Sequence, residues 1–549
     1  MAKLSRWLPF LNWPRPSAGL LRSEIAAGLT VALVMVPQCV AYAALAGMPL
    51  ETGLYAGLLP PIVAVLFGSS TRLSVGPAAL TCVLTAASLS GMAQPASAEW
   101  VALAVWLALL SGMVQFALGA GGMAWVLNLV SAPVLLAFTQ AAALLIMASQ
   151  LPAFVGVQRT AAELLHNPQV EPAAFAFGAV SLTLMVLGKR YAPKLPMVIL
   201  VVSGSALISK FSGYSDGGAI IGALPAGLPA LYWPGWPGWE TLGALVVPAL
   251  VISLVSFLET ASSAKIESQR DGKRWNDNQD LLSQGLAKFA SAFSGSFPTS
   301  TSFSRSAVTL YAGAKTGWAT IAAAGFVLVA LMLTSLLYHV PRAVLAAIVI
   351  AAVSGLLKPR AILQLWRVDR VEAATAIVTF VVTLATAPRI YWGVLAGVLM
   401  GLAHFLYLRL HPRIIEVGLH PDGSLRDRHL WKLAPLAPQL YALRMDAELD
   451  FASASALERA IMEHLASHAD VHHVCLFAQP INRIDATGVE MFGQLRKLLS
   501  ERGITLHISG IKLPVERVLL KSGVLEDGPL LKMYRTDTEA LLAFGRLSP

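Results

Sequence analysis

Long apolar runs broken by short polar loops fill residues 20–410 of this 549-residue chain, whereas residues 411–549 mix polar and apolar positions as a soluble domain does. Fourteen apolar segments can be placed, centred near 35, 58, 83, 109, 138, 180, 202, 250, 288, 306, 327, 349, 380 and 399. A lipid-facing helix needs about 20 apolar residues. The segments near 58, 83, 288 and 306 are short or rich in Gly, Pro and Ser, so they are expected inside protein or along a cavity. Beyond His411-Pro412-Arg413 the periodicity predicts strands over 439–444, 473–477 and 505–509 and helices over 453–467 and 486–501. Val489, Phe492, Leu495, Leu498 and Leu499 share one face of the last helix, and Asp485 stands at its N-cap. The expected organisation is an N-terminal segment over 1–20, a membrane domain over 21–410, a linker over 411–436 and a small α/β domain over 437–549. The Pro- and Trp-rich stretch ending at Trp239 divides the membrane domain into halves over 21–235 and 236–410.

Composition agrees with a membrane protein. The chain is 56% hydrophobic and 13% charged, against about 25% charged in soluble chains. Its net charge of +9 does not point to nucleic acid, because the basic residues fall mainly in short loops, where they orient spans. Lys189, Arg190 and Lys194 follow the sixth segment; Lys265, Arg270, Lys273 and Arg274 the eighth; Lys315 the tenth; and Lys358, Arg360, Arg367 and Arg370 the twelfth. Residues 211–239 contain no Lys or Arg; Arg159, Arg342 and Arg389 break the pattern. An even number of spans with both ends cytoplasmic is expected, in the inner or plasma membrane. Lys3, Arg6, Arg15 and Arg22 are not followed at once by an apolar core and cleavage site, so a cleaved signal is not expected, and Trp7, Leu8, Phe10, Leu11 and Trp13 suggest a surface-lying or unstructured start. Cys39, Cys82 and Cys475 lack metal or disulfide spacing, and neither metal nor cofactor is expected.

Two landmarks recur. Gln38 and Glu259 sit in apolar stretches, and each precedes a proline opening a Gly/Ser/Thr-rich break by the same interval, 77 − 38 = 39 and 298 − 259 = 39. One offset of 221 residues relates both pairs, the trace of a transporter built from two repeats with interrupted helices near the bilayer midplane. Gln38 and Tyr42 are four apart on one helix face, either toward a cavity or as glue between helices. Ser74-Val-Gly-Pro-Ala-Ala-Leu80 reads as a helix starting inside the membrane with Pro77 in its first turn, and its free N–H groups favour an anion. Phe297-Pro-Thr-Ser-Thr-Ser-Phe-Ser-Arg-Ser306 repeats the arrangement with hydroxyls and Arg305, which either binds an anion or snorkels to the interface. Glu259 is the most deeply apolar-embedded carboxylate, with Ser263 on the same face. It is either a proton-coupling group or the static partner of Arg305.

These motifs, Val36-Pro-Gln-Cys-Val-Ala-Tyr-Ala-Ala-Leu-Ala-Gly47, Gly53-Leu-Tyr-Ala-Gly57, Ser74-Val-Gly-Pro77 and Ser302-Phe-Ser-Arg-Ser-Ala-Val308, resemble the sulfate permease (SulP) family of anion transporters. The tail resembles the STAS domain that usually accompanies it, and the likeness covers about residues 20–540. The resemblance implies an all-α polytopic domain of fourteen transmembrane segments in a 7+7 inverted repeat. Two half-helix breaks, core and gate subdomains and a cytoplasmic α/β STAS-like domain complete the expectation, with a homodimer and elevator-like movement of the core. By the same resemblance Gln38 and Tyr42 match substrate contacts on the first helix; Pro77, Ala78 and Ala79 the first half-helix terminus; and Ser304 and Arg305 the second. Glu259 matches the acidic residue associated with proton coupling in sulfate-carrying members, whereas sodium-dependent bicarbonate members tend to have Asp there and lack the arginine. Thr301, where Gly is usual, and Thr309, where Asn is common, depart from the pattern, and Thr301 and Ser302 become pocket neighbours. Ile484-Asp-Ala-Thr-Gly488 resembles the phosphorylated loop of anti-sigma-factor antagonists, which puts Thr487 either at a regulatory phosphosite or simply at a helix start.

The expected function is coupled transport of a small anion, sulfate with a proton being favoured over bicarbonate, dicarboxylate or chloride. Arg305 and two helix termini supply about two positive charges, and ionised Glu259 removes one. A nucleobase–proton symporter would not need the arginine, and an anion-sensing membrane protein would bind without flux. An enzyme is disfavoured, because the polar parts hold no acid/base pair, metal spacing or nucleophile triad. A cytoplasmic regulatory partner of the STAS-like domain is a further expectation.

Overall fold

The computed structural model describes residues 8–157, 170–192, 195–525 and 528–545. Lys3, Arg6, Trp7, Arg159 and Lys194 lie outside the described residues. Two compact units divide at Gly401 and Leu402.

The first half of the membrane unit comprises α1 (Ala18–Leu45), α2 (Leu50–Phe67), α3 (Ala79–Leu89), α4 (Ala98–Ala120), α5 (Ala132–Phe154), α6 (Pro172–Tyr191) and α7 (Met197–Phe211). The second comprises α8 (Trp239–Asp271), α9 (Asp277–Phe293), α10 (Phe303–Tyr311), α11 (Trp318–Met332), α12 (Arg342–Ser354), α13 (Pro359–Val368), α14 (Arg370–Ala385) and α15 (Tyr391–Leu410). Each of the fourteen expected centres falls inside one of these helices. The addition is α13, which has no buried residue and presents Leu363 and Trp366 outward between Lys358, Arg360 and Arg367. At ten residues it extends about 15 Å, too short to cross a bilayer, and its charges in the sequence read as a basic loop. Among the described residues, eight helical spans are long and apolar enough to cross a membrane.

Two helix groups emerge from the packing. In one, α9 lies against α4 and α2, and α11 against α1 and α2; in the other, α12 and α14 pack on α5, and α12 on α6. Both groups mix the two halves of the sequence. The α4–α9 contact depends on small residues: a Cβ on Gly285 would lie 2.6 Å from the Phe116 backbone nitrogen, and one on Gly119 2.6 Å from that of Leu282. Helix α1 starts at Ser17, whose Oγ accepts from Leu20 N–H at 3.2 Å. Its fully buried Glu24 accepts from the backbone N–H groups of Lys315 (2.8 Å), Thr316 (3.4 Å) and Ala319 (3.0 Å), where α11 begins. A carboxylate at a helix start is favourably placed against the helix dipole. Near the far end of α8, Glu267 pairs with Arg72 at 3.2 Å, and Asp271 also pairs with it.

Between α2 and α3, Val75–Gly76 forms β1; between α9 and α10, Ser300–Thr301 forms β2. The strands pair antiparallel, Val75 opposite Thr301 and Gly76 opposite Ser300. The chain therefore runs in opposite directions through the two strands that lead to α3 and α10, as an inverted repeat requires.

The second unit holds a six-stranded sheet. The strands β3 (Ile414–Leu419), β4 (Leu425–Asp427), β5 (Leu440–Met445), β6 (His473–Phe477), β7 (Thr505–Ser509) and β8 (Leu531–Tyr534) lie in the order β4-β3-β5-β6-β7-β8. β5 through β8 are parallel, and β3 is antiparallel to both neighbours. Residues 414–419 and 425–427, assigned to a linker from the sequence, are therefore sheet strands; their alternation is too short to separate from loop. Helices α16 (Arg428–Trp431), α17 (Ala454–Ser467), α18 (Ala486–Glu501), α19 (Leu513–Lys521) and α20 (Asp537–Phe544) complete the unit. Asp485 caps α18 as expected, accepting from Gly488 N–H at 2.8 Å and, through its other oxygen, from Phe451 N–H at 3.0 Å. The Gly488 bond foremost holds its carboxyl below the usual range.

Candidate anion site

The β1–β2 junction brings the polar landmarks together. Arg305, in the first turn of α10, is 1% exposed. Its Nε donates to Ser74 Oγ at 3.2 Å and its Nη1 to Gln38 Oε1 at 3.3 Å. Nη2 is buried without a hydrogen-bond partner. It lies beside Gly76, where an added Cβ would sit 3.5 Å from it. A buried guanidinium nitrogen left unpaired is costly, so the place it faces suits an acceptor. Ser302 N–H donates to Ser74 O at 2.9 Å and Ser74 N–H to Ser306 Oγ at 3.0 Å, locking the two breaks together.

Gln38 is buried one residue beyond Pro37, which removes a helical donor within α1. Tyr42, one turn on, is buried within electrostatic reach of Arg305 and Glu259. Glu259 Oε2 accepts from Ser300 Oγ at 2.5 Å. Glu259 and Arg305 make no direct ion pair: Glu259 turns to Ser300 of β2, and Arg305 to Ser74 and to Gln38 of α1.

The half-helix starts differ from the sequence expectation. Pro77 lies outside α3, whose N-cap is Ala78, and Pro298 lies upstream of β2. The caps Ala78 and Ser302 are related by 302 − 78 = 224 residues rather than 221. Pairing between β1 and β2, a contact remote in sequence, decides where each helix starts and overrides the preference of proline for a first turn.

Ala78 offers α3 no side-chain cap, so its leading N–H groups lack intrahelical partners. Ser302 Oγ accepts weakly from Arg305 N–H at 3.5 Å. Ala79 is half-buried, whereas Ser304 points to the exposed side of α10, 3.4 Å from Ser302 Oγ. Thr301 Oγ1 bonds Thr260 Oγ1 at 2.8 Å and accepts from Gln284 Nε2 at 3.2 Å, so it faces α8 and α9 behind the strand. Ser263 donates to Glu259 O at 3.1 Å, along its own helix rather than to the carboxylate. Thr309 likewise donates back to Arg305 O at 3.0 Å. In the second unit Thr487 is exposed in the first turn of α18.

Lys288 escaped the sequence reading. It is fully buried on α9 and donates to Gln115 Oε1 at 2.8 Å and Ser256 Oγ at 3.0 Å. The available signal was a lysine at the centre of a candidate span. An open cavity of about 1200 Å³ lies along the ends of α1, α3 and α5. Its lining residues Leu45 and Val83 are one helical turn from Tyr42 and Ala79.

A family model described as the sulfate permease family matches residues 21–379, and one for the STAS domain matches 434–540. A probable sulfate transporter of Mycobacterium tuberculosis (strain CDC 1551 / Oshkosh) is 31% identical over 538 residues, 96% of either chain. A sodium-independent sulfate anion transporter of Bos taurus is 28% identical, over 94% of this chain and 88% of that one. The fold matches the murine anion transporter Slc26a9 in its inward-facing state with a TM-score of 0.88 at 20% identity, over 99% of this chain and 95% of that one. The transmembrane domain of a cyanobacterial bicarbonate transporter, BicA, matches with a TM-score of 0.60 at 20% identity, over 70% of this chain and 98% of that one.

Proposed function

Since this chain belongs to the sulfate permease family and is an integral membrane transporter rather than an enzyme, we propose that it carries sulfate together with a proton through the β1–β2 junction. The observation that supports this reading best is Arg305 Nη2, buried and uncommitted beside the two half-helix starts. The termini contribute about half a charge each, and the guanidinium can offer its free N–H groups to an oxyanion. Ionised Glu259, one strand residue away through Ser300, opposes a dianion; its protonated form does not. Proton and anion then promote each other's binding, and that promotion is reciprocal.

Alternating access would come from sliding the α1–α4/α8–α11 group past α5–α7 and α12–α15, with both chain ends cytoplasmic in a cell membrane. A homodimer and a cytoplasmic partner for the STAS unit belong to the same reading, in which Thr487 serves as a helix start. Uptake of labelled sulfate, bicarbonate, dicarboxylate, chloride and uracil into proteoliposomes, with and without an inward proton gradient, tests the proposal. Gradient-stimulated sulfate uptake that Glu259→Gln uncouples is the expected result. Stimulation that survives Glu259→Gln would refute the role of that residue, and binding without flux would favour a sensor.

A further inference from the structure

Lys288 is as fully buried as Arg305 and sits at the seam of α4, α8 and α9. Both of its acceptors, Gln115 Oε1 and Ser256 Oγ, are neutral. Gln115 Nε2 in turn donates to Ser253 O and Ser256 Oγ, each at 2.7 Å, so the amide is held rigidly toward the lysine. An ammonium buried among neutral groups costs several kcal/mol unless an opposite charge answers it. Glu259 follows Ser256 on α8 by one turn, and Ser300 Oγ reaches both Glu259 Oε2 at 2.5 Å and Ser256 O at 3.4 Å. Ser256 and Ser300 therefore connect Lys288 to Glu259, although the two make no direct ion pair. The charged and titratable groups around Glu259 are then Lys288 from α9, Arg305 from α10, Tyr42 from α1 and Cys82 from α3; α4 contributes the neutral Gln115.

We propose that Lys288, when protonated, is the counter-charge of Glu259, balancing the ionised carboxylate so that Arg305 stays free for the anion, and so setting the pH at which Glu259 takes up its proton. The inference rests on the reading of Glu259 as the proton-coupling group. With Glu259 ionised, the pair is neutral and the junction keeps only the charge of Arg305 and the helix starts. When a proton from the aqueous side binds the carboxylate, the charge of Lys288 is no longer cancelled, and attraction for a dianion grows. Lys288 acts through Glu259 and is a positioning residue rather than an anion ligand.

The test measures sulfate uptake into proteoliposomes at fixed membrane potential across external pH of about 5 to 8, for wild type, Lys288→Gln and Lys288→Arg. Removing the cation disfavours the ionised carboxylate, so Lys288→Gln should move the midpoint of the pH profile upward by about one unit or more, a tenfold change in proton affinity. Lys288→Arg should keep the wild-type midpoint. A Lys288→Gln profile of lower amplitude but unchanged midpoint would overturn the proposal and leave the lysine a packing role. If Lys288→Gln does not fold well enough for flux, melting of the purified protein decides. Glu259→Gln and Lys288→Gln each strand one buried charge, so the double variant should melt above both single variants; additive losses would overturn the pairing. Wild-type uptake indifferent to pH would instead sink the coupling reading, and the melting cycle would still decide the pair.

Discussion

The starts of α3 and α10 occupy equivalent places in the two repeats, yet they do different work. The first is bare backbone: Gly76, Pro77 and Ala78 present no polar side chain, and α3 opens without a cap. The second is crowded with side-chain chemistry, from Ser300 through Ser302 to Arg305. The same split runs through the helices facing them, with neutral Gln38 on α1 and Glu259 on α8. A duplicated scaffold therefore supplies two electropositive termini, while charge and titration are concentrated in one copy. The helix α18 gives the contrast: there a carboxylate, Asp485, occupies the start that α3 leaves open.

That comparison can be broken most directly at Arg305. Arg305→Ala should abolish measurable sulfate uptake, since truncating one side of a buried charged contact costs about 2–5 kcal/mol; wild-type half-saturation in flux assays would remove the arginine from the site. Gln38→Ala takes away one acceptor of Arg305 and should raise the half-saturating sulfate concentration about tenfold, matching a charged hydrogen bond of about 1.5 kcal/mol. An unchanged value would mean that Ser74 alone orients the guanidinium.

Placing a carboxylate at the bare start sharpens the contrast further. Ala78→Asp should place a carboxylate against the start of α3 as Asp485 does for α18, weakening sulfate binding several-fold, because the cap competes with the anion for the same N–H groups. Binding that improves would argue that α3 does not face the anion. Asp485→Ala should cost about 1 kcal/mol in the second unit. That contribution is fully present above pH of about 4, the ordinary carboxylate value, and disappears as pH falls through the depressed native value, since the capped form is the ionised one. Amide exchange in α18 at graded pH reads it. The smallest effect is expected at Thr487→Ala, whose exposed side chain should leave both uptake and melting within error.

Much of this asymmetry is legible in the chain. Arg305, Glu259 and Gln38 stand out because a charged or amide group inside an apolar run has few places to go, and the structure gathers all three at one junction. Helix centres were readable for the same reason, being set by apolar length. What depends on distant partners was hidden. The start of α3 is decided by the pairing of Gly76 with Ser300, and Pro77 alone misplaces it. Thr301 is next to the site in sequence, but strand alternation turns it toward Thr260 and Gln284. Lys288 sits in a segment with Asp277, Asp280 and Gln284, whose polarity reads as that of an ordinary sheltered helix until Gln115 from α4 closes over it. The strands β3 and β4 are short, and only their partners identify them.

Glu24 carries a consequence for how the protein is made. Among the described residues, the backbone donors to its carboxylate come from the start of α11, nearly 300 residues later by the separations of 291 and 295 to Lys315 and Ala319. The faces of α2 and α4 likewise receive α9 from the second half. Neither half of the sequence therefore completes its own packing: the acid near the start of α1 is answered only by residues of the other half.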